Sequence, residues 1–264
     1  MIRFGRVCIL LCLWLSLPEI YAQSLRFVID SKKDSLIADP LGNIYLMRES
    51  QLIKYDPNGK LLMRYSNKVL GAMEAVDASN PMKILLFYPE LNRIVFLDNQ
   101  LSENGPPVNL VEPGLDQTVL ACTSHDNGFW VYDQREFEIV RLDQELKVSH
   151  RSGNIPLQTG IAIKPIAIYQ YQNSIYLYDS NIGFLIFDIF GTYTKTLPLK
   201  GIYSISFSDN CVYFLQESKL YKFNLLSLQQ SEMSIPLAGA NQVVVLKDGL
   251  AVRTDEKIWV YRKD

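Results

Sequence analysis

Hydrophobic and polar residues alternate along most of the chain in short runs that are separated by polar turns. Residues 39–62 read DPLGNIYLMRESQLIKYDPNGKLL. Apolar residues recur at every second position, as at Ile44 and Leu46, and this is the period of half-buried strands. The dipeptides GN at 42–43 and NG at 58–59 supply the positive φ angles of tight hairpins. The stretch therefore predicts three consecutive antiparallel strands.

The same pattern recurs along the rest of the chain at intervals of about 40 residues, which is the length of a propeller blade. In five copies the third strand closes on a polar residue, and these are Asp56, Asp98, Asp143, Asp188 and Asn224. A second marker is the glycine that precedes each inner strand: Gly71, Gly114, Gly160, Gly201 and Gly239. Three of these glycines end near-copies of one phrase, IPLQTG, LPLKG and IPLAG, in which proline stops the outer strand and glycine turns the chain inward.

The two markers together predict an all-β, six-bladed β-propeller with four-stranded antiparallel blades. The predicted inner strands are residues 35–39, 72–77, 118–123, 165–169, 204–208 and 242–246. The last blade lacks a fourth strand of its own, and residues 25–30 form a spare strand ahead of the first blade. We expect strand 25–30 to join the C-terminal blade and close the ring, because this leaves no long exposed edge.

One part of the repeat resembles a known family. DPLGNIYL at 39–46, followed by IKYDPNGK at 53–60, looks like an NHL-type repeat, and NRIVFLD at 92–98 is similar to its third strand. The resemblance is clear in the first blade, partial in the second and only periodic elsewhere, so it implies the fold and says little about activity. Propellers of this kind include RNA readers, histidine-dependent metal lyases, calcium-bound lactonases and protein-interaction platforms.

The N-terminus predicts export. Arg3 and Arg6 precede an apolar run at 7–17, and a small residue, Ala22, stands before an expected cleavage site. The apolar run is shorter than the roughly 20 residues that span a bilayer, which argues against an uncleaved anchor. We therefore expect a signal peptide at 1–22, one propeller domain at 23–264 with no membrane span after cleavage, and a periplasmic or extracellular location.

Charge and cysteine content narrow the class of function. The whole chain has a net charge of −2, and loss of the leader makes the mature chain slightly more acidic. This balance argues against a nucleic-acid partner. Cys122 and Cys211 remain after cleavage, and because they fall in non-adjacent repeats we expect two buried free thiols rather than a disulfide.

Candidate binding residues come from the turns between the second and third strands, each of which carries a carboxylate. They are Glu49, Glu90, Asp133, Asp179, Glu217 and Asp255. One interpretation is an acidic rim that binds a cation or a basic partner. The other is a set of solvated turns, because a lysine or arginine stands beside five of the six and nearly cancels the charge.

Other candidates carry weaker signals. His125 with Asp126 resembles a catalytic or metal-binding pair, but a lone histidine without a second ligand at metal spacing is more often part of a polar turn. The long segments 104–117 and 150–164 are candidate binding loops or simple length variation between repeats. Aromatic residues at repeated strand positions predict packing between blades, and these are Tyr45, Trp130, Tyr132, Tyr176, Tyr178, Tyr213 and Trp259.

No catalytic residue emerges from these patterns, so three functions remain open. The first is a non-enzymatic scaffold that binds a protein or glycan in the cell envelope. The second is a lactonase-like hydrolase that holds calcium in the central channel, although no cofactor is predicted by the motifs and the metal ligands are unknown. The third is a subunit of an envelope or secretion assembly, for which a contiguous apolar patch should mark one face. The sequence leaves the oligomeric state open.

Overall fold

The computed structural model of the protein describes residues 23–32 and 34–263, in six four-stranded antiparallel sheets arranged as the blades of a propeller. The predicted signal peptide at 1–22 lies outside the described residues. Blade one contains β2 (Ser35–Ala38), β3 (Ile44–Arg48), β4 (Gln51–Tyr55) and β5 (Leu61–Ser66). Blade two contains β6 (Ala75–Asp77), β7 (Ile84–Tyr88), β8 (Arg93–Leu97) and β9 (Val108–Asn109). Blade three contains β10 (Thr118–Thr123), β11 (Phe129–Asp133), β12 (Glu138–Leu142) and β13 (Val148–Arg151).

The other three blades repeat this order, except that the last blade takes its outer strand from the N-terminal side. Blade four contains β14 (Ala167–Tyr171), β15 (Ser174–Asp179), β16 (Gly183–Asp188) and β17 (Tyr193–Leu197). Blade five contains β18 (Tyr203–Ser208), β19 (Cys211–Gln216), β20 (Lys219–Asn224) and β21 (Gln230–Met233). Blade six contains β22 (Gln242–Leu246), β23 (Gly249–Arg253), β24 (Lys257–Lys263) and β1 (Gln23–Asp30). The predicted all-β, six-bladed architecture is confirmed.

Strand β1 pairs with β24 along its whole length. The register matches Ile29 with Ile258 and Gln23 with Lys263, and a bulge interrupts it between Leu25 and Phe27. Ile29 is buried at the boundary between blades six and one. The segment that the sequence predicts as a spare strand is thus the outer strand of blade six.

The polar residues that close the third strands share one local structure, which explains why they recur. The Asp56 carboxylate accepts hydrogen bonds from the backbone N–H groups of Asn58 and Lys60. Asp98, Asp143 and Asp188 make the same pair of bonds with the residues two and four positions further on. A short side-chain acceptor that holds its own turn is a common use of Asp and Asn. Each such residue fixes the hairpin between the third and fourth strands.

The hydrophobic core is divided into clusters that lie mostly between neighbouring blades. One cluster joins blade one to blade two through side chains such as Tyr45 and Leu86, and another joins blade five to blade six through Leu215 and Val252. Strands with both faces buried, such as β7, are apolar along their length because each face packs on a different neighbour. Burial between blades therefore supplies the main stabilisation of the ring.

The segments that join the blades follow the predicted glycine marker. All five glycines, Gly71, Gly114, Gly160, Gly201 and Gly239, have positive φ angles between 62° and 82°. An added Cβ at Gly160 would meet no atom within 4 Å, so the requirement there is backbone conformation rather than space. One difference from the sequence prediction is α1 (Ile155–Thr159), a single helical turn within the long segment between blades three and four.

Cys122 and Cys211 are free and buried in the described part of the chain, as the sequence predicts. Burial raises the pKa of the Cys122 thiol well above its usual value. Both cysteines therefore act as small core residues. In residues 23–32 and 34–263, no helix is long and apolar enough to cross a membrane.

Candidate functional site

The propeller has two faces that differ in what they carry. Because the strands of each blade are antiparallel, the turns between second and third strands lie on the same face as the segments that join one blade to the next. We call this the connection face, and it comprises these turns, residues 31, 32 and 34, and the segments 67–74, 110–117, 152–166, 198–202 and 234–241. The opposite face carries the turns between first and second strands and between third and fourth strands.

The six predicted rim carboxylates all belong to the connection face, but their surroundings differ. Glu49, Glu90, Glu217 and Asp255 are exposed. Asp133 and Asp179 are each only 2% exposed. The Asp179 carboxylate accepts hydrogen bonds from the backbone N–H groups of Lys164 and Asn181, and Asp133 accepts one from Arg135. The two buried carboxylates hold the local backbone, so four of the six are open to a ligand.

Basic residues beside three of these turns are already engaged in ion pairs. Arg48 donates two hydrogen bonds of 2.6 Å to the fully buried carboxylate of Asp34, and this contact raises the pKa of Arg48. Arg135 pairs with Asp116 at 2.6 Å and lowers the pKa of that carboxyl group. In blade five, Lys219 beside the turn forms an ion pair with the carboxylate of Glu232 on the outer strand. The charges of blades one, three and five are thus largely neutralised locally.

His125 lies in a turn of the opposite face, and His150 lies on the outer strand β13 near the buried side chain of Arg141. This guanidinium donates hydrogen bonds to the hydroxyl groups of Ser124 and Ser149 and pairs with Asp126. His150 Nδ1 lies 3.4 Å from its Nη1 atom. These neighbours therefore satisfy the hydrogen-bonding groups of the Arg141 guanidinium. Together they form a packed polar cluster rather than an open pocket.

His125 belongs to a separate contact between blades three and four. Its Nδ1 atom lies 2.8 Å from the side-chain nitrogen of Gln170, and the amide oxygen of Gln170 accepts a hydrogen bond from Trp130. His125 and Asp126 therefore point to different partners and do not form a catalytic pair.

The central channel was the predicted place for a metal ion in the hydrolase hypothesis. Within residues 23–32 and 34–263, no three His, Cys, Asp or Glu side chains come close enough together to hold one. The inner strands instead use their polar side chains to bond adjacent blades, as when Asp77 accepts hydrogen bonds from the backbone and hydroxyl group of Thr123. Asp77 thus joins the inner strands of blades two and three.

Six of the seven repeated aromatic residues are buried between blades, with Tyr45 and Trp130 completely so. Burial, with help from a hydrogen bond to Asp39, raises the pKa of Tyr45 far above its usual value. Trp259 differs from the others because it is only partly buried, and it borders a groove on the connection face. Packing explains the six buried residues and leaves Trp259 as a surface aromatic.

Exposed aliphatic and aromatic side chains recur on the connection face, a feature that repeat periodicity alone did not reveal. They are Val69, Leu91, Val111, Phe137, Leu157, Ile166 and Tyr203. Val69 and Leu157 are each 86% exposed, which is the highest value for any large apolar residue in the described part of the chain. We call this set the apolar arc.

Backbone hydrogen bonds tie neighbouring parts of the apolar arc together. Leu110 donates to the carbonyl oxygen of Asn92, which places Val111 beside the turn that carries Leu91. Ile155 donates to the carbonyl oxygen of Phe137, which fixes the start of α1 beside the turn of blade three. Two pairs of arc residues, Leu91 with Val111 and Phe137 with Leu157, therefore lie on segments that are bonded to each other.

The opposite face also exposes apolar residues, which occupy hairpin tips, and Leu226 and Leu228 share one tip. They are Leu41, Met82, Leu146, Phe190, Leu226 and Leu228. Leu146, for example, stands between Glu145 and Lys147 in its turn. Single exposed apolar residues are common on soluble proteins, whereas connected sets mark interaction surfaces.

Comparison with solved structures shows the fold. The structure of a streptogramin B lyase matches with a TM-score of 0.63 at 13% identity, and the match covers 92% of this chain and 98% of that one. Virginiamycin B lyase from Staphylococcus aureus matches with a TM-score of 0.60 at 11% identity, covering 91% and 99%. The Pan2 WD40 domain of Neurospora crassa matches with a TM-score of 0.62 at 8% identity, covering 91% and 95%.

No family model and no curated protein matches the chain by sequence. At identities of 13% or less, the structural matches speak for architecture and leave activity open. The strand order and these matches agree that the chain is a six-bladed β-propeller.

Proposed function

We propose that the protein is an exported, non-enzymatic β-propeller that binds a protein partner in the cell envelope through its connection face. The apolar arc carries this proposal. Its side chains, led by Val69 and Leu157, stand in solvent on segments whose backbones are held by hydrogen bonds. A surface that exposes apolar groups gains free energy when a partner removes them from water.

Two further points support a binding role. The histidines are engaged in contacts between strands and blades. The resemblance of blade one to an NHL-type repeat supports the same proposal, because that repeat is found in interaction platforms. Export rests on the leader at 1–22, and a periplasmic or extracellular location follows from it. A subunit of an envelope or secretion assembly is the form of this function that the apolar arc favours.

Substitution of exposed apolar residues by aspartate tests the proposal. The double variant Val69→Asp and Leu157→Asp puts two charges into the apolar arc at solvent-exposed positions, so the fold should be retained. The matched control is Leu226→Asp with Phe190→Asp on the opposite face. Tagged proteins are used to capture partners from envelope extracts, and each captured protein is quantified against the wild type.

A protein that is recovered by the wild type and the control, and lost with the arc variant, supports the proposal. Equal recovery by all three proteins contradicts it. Binding of purified cell-surface polysaccharide without any captured protein would instead establish a glycan partner.

Calcium is tested separately through thermal stability. We propose that the protein needs no cofactor, and so the melting temperature should be the same with millimolar calcium and with a chelator. A rise of several degrees with calcium, lost on chelation, would reveal a metal site in the folded state and reopen the hydrolase hypothesis.

A further inference from the structure

A groove of about 490 Å³ opens on the connection face at the boundary between blades five and six. One wall is the segment around Leu237 from the connection between the blades, and the other is the turn at 254–257. Trp259 borders the groove as the partly buried member of the repeated aromatics.

Hydrogen bonds hold both walls in place. The side-chain nitrogen of Asn241, in the connection, donates to the carboxylate of Asp255 at 2.8 Å. The backbone N–H of Ser31 donates to the carbonyl oxygen of Glu256 at 2.7 Å. Thr254 closes the turn by bonding Lys257 through both its backbone and its hydroxyl group. A ligand would therefore meet a preformed surface and pay little for ordering it.

The charges of this turn differ from those of blades one, three and five. In blades one, three and five the basic residue beside the turn is held by a carboxylate, as in the pair Arg48 and Asp34. In blade six, Lys257 has no such partner among the described residues, and its Nζ atom lies 5.9 Å from the centre of the Trp259 ring. Asp255 and Glu256 are exposed and make no ion pair within the same residues.

The position of Lys257 indicates that the groove suits a positively charged group. A cation over an indole ring within about 6 Å is attracted by the electrons of the ring face, and neighbouring carboxylates strengthen that attraction. Lys257 occupies this place at the outer limit of the distance, from a flexible side chain in an exposed turn. A cation brought by a partner could approach the ring more closely and would meet two carboxylates that lack ion-pair partners.

We infer that this groove binds a lysine or arginine side chain of the partner protein, between the Trp259 ring and the carboxylates of Asp255 and Glu256. The inference rests on the proposed function, since it names a contact within the same connection face. Lys257 would leave the ring when the partner residue enters. The groove then adds charge-based specificity to an interface whose area comes from the apolar arc.

A dye-labelled tetra-arginine peptide tests the inference on the purified full chain by fluorescence anisotropy at low ionic strength. The double variant Asp255→Asn and Glu256→Gln should weaken binding about fivefold or more, and Trp259→Leu should weaken it about fivefold. Lys257→Ala should strengthen binding, because it removes the internal competitor and one positive charge. The matched control is Glu217→Gln with Glu90→Gln, which removes two exposed carboxylates from equivalent turns and should leave binding unchanged.

Three results would overturn the inference. They are no binding of the peptide at millimolar concentration, equal weakening by the control variant, and binding that is unaffected by Trp259→Leu in a protein with wild-type circular dichroism. These outcomes are independent of the proposed function, because the peptide assay uses no natural partner and leaves the apolar arc unchanged. Loss of partner capture with an intact peptide site would contradict the proposed function alone.

Discussion

The side chain of Gln242 forms two hydrogen bonds with the backbone of Leu36, which joins the last blade to the first. The amide nitrogen of Gln242 donates to the Leu36 carbonyl oxygen at 2.7 Å, and its amide oxygen accepts from the Leu36 N–H at 2.9 Å. The two residues are 206 positions apart. Leu36 itself is only 1% exposed, so these backbone groups have little access to water.

Replacement of this glutamine should therefore destabilise the ring. In Gln242→Leu, both backbone groups of Leu36 lose their partner, at a cost of about 1–3 kcal/mol in the free energy of unfolding. The control is Gln216→Leu, because Gln216 bonds the Lys200 carbonyl oxygen at an exposed site where water can replace it. The free energy of unfolding of both variants is measured by urea denaturation. An equal decrease in the two would show that the contact between blades stabilises the protein no more than the exposed hydrogen bond does.

Removal of the N-terminal strand should cost more than removal of an ordinary chain end. Deletion of residues 23–30 exposes the edge of β24 and uncovers the core around Ile29, whose burial alone is worth about 1.5–3 kcal/mol. We expect the melting temperature to fall by at least about 5 °C. Val28→Thr serves as the control because it keeps the strand and alters an exposed side chain. A truncated protein with the melting temperature of the complete chain would show that the strand is dispensable.

The repeated turn residues allow a test of mechanism at a single atom. Asp188 accepts hydrogen bonds of 2.9 Å from the backbone N–H groups of Phe190 and Thr192. Asp188→Ala should lower the free energy of unfolding by about 1 kcal/mol, whereas Asp188→Asn should stay close to the wild type. Asn224 provides the natural precedent, since its amide oxygen accepts two backbone hydrogen bonds in blade five. A large loss in the asparagine variant would mean that charge, rather than hydrogen bonding, holds the turn.

Alkaline pH should unfold the protein in part through its buried tyrosines. Burial, with a smaller contribution from Asp133, raises the pKa of Tyr132 to about 12. The folded state therefore keeps its proton at a pH where the unfolded state, with a pKa near 10, has lost it. Stability from this group is complete below pH 10 and is lost as the pH rises towards 12. Tyr132→Phe should flatten the decline of unfolding free energy above pH 10, as measured by urea denaturation. An unchanged decline would assign the alkaline transition to other groups.

Much of the fold could be predicted from turn residues and strand patterns in the sequence. Residues 118–123 and 242–246 match β10 and β22, because turn residues with strict conformational needs bracket them on both sides. The inner strand of blade two, predicted at 72–77, begins only at Ala75, since the segment before it carries no repeat signal of its own. The N-terminal strand could be placed because an unpaired edge in the last blade demanded a partner.

The single helical turn shows where sequence reasoning stopped short. IPLQTG was interpreted together with LPLKG and IPLAG as one connecting phrase, yet only the first forms a helix. Asn154 caps that turn by accepting from Leu157 N–H, Pro156 stands in its first turn and Gly160 ends it. These signals are visible in the sequence and are typical of helix ends. They were overlooked because the segment was interpreted as one copy of a repeated connection.

The candidate site was harder to predict from the sequence than the fold, and the reason is physical. The rim carboxylates share one position in the repeat, but burial separates Asp133 and Asp179 from the other four. Burial depends on the segments that cover each turn, and those segments vary most in length. The apolar arc belongs to the same segments, and no period predicts which of their side chains face solvent. The partly buried position of the Trp259 ring likewise became apparent only when its neighbours were placed.

The pairing of β1 with β24 also determines the order in which the molecule can be completed. Strand β1 is synthesised before every other described strand and β24 after every other, so the sixth sheet assembles only when the whole described chain is present. Contacts between residues so distant in sequence slow folding and keep it cooperative. A partly translated chain can form individual blades, but it cannot shut the ring around itself. A polypeptide built in this way stays open until its synthesis has passed residue 257.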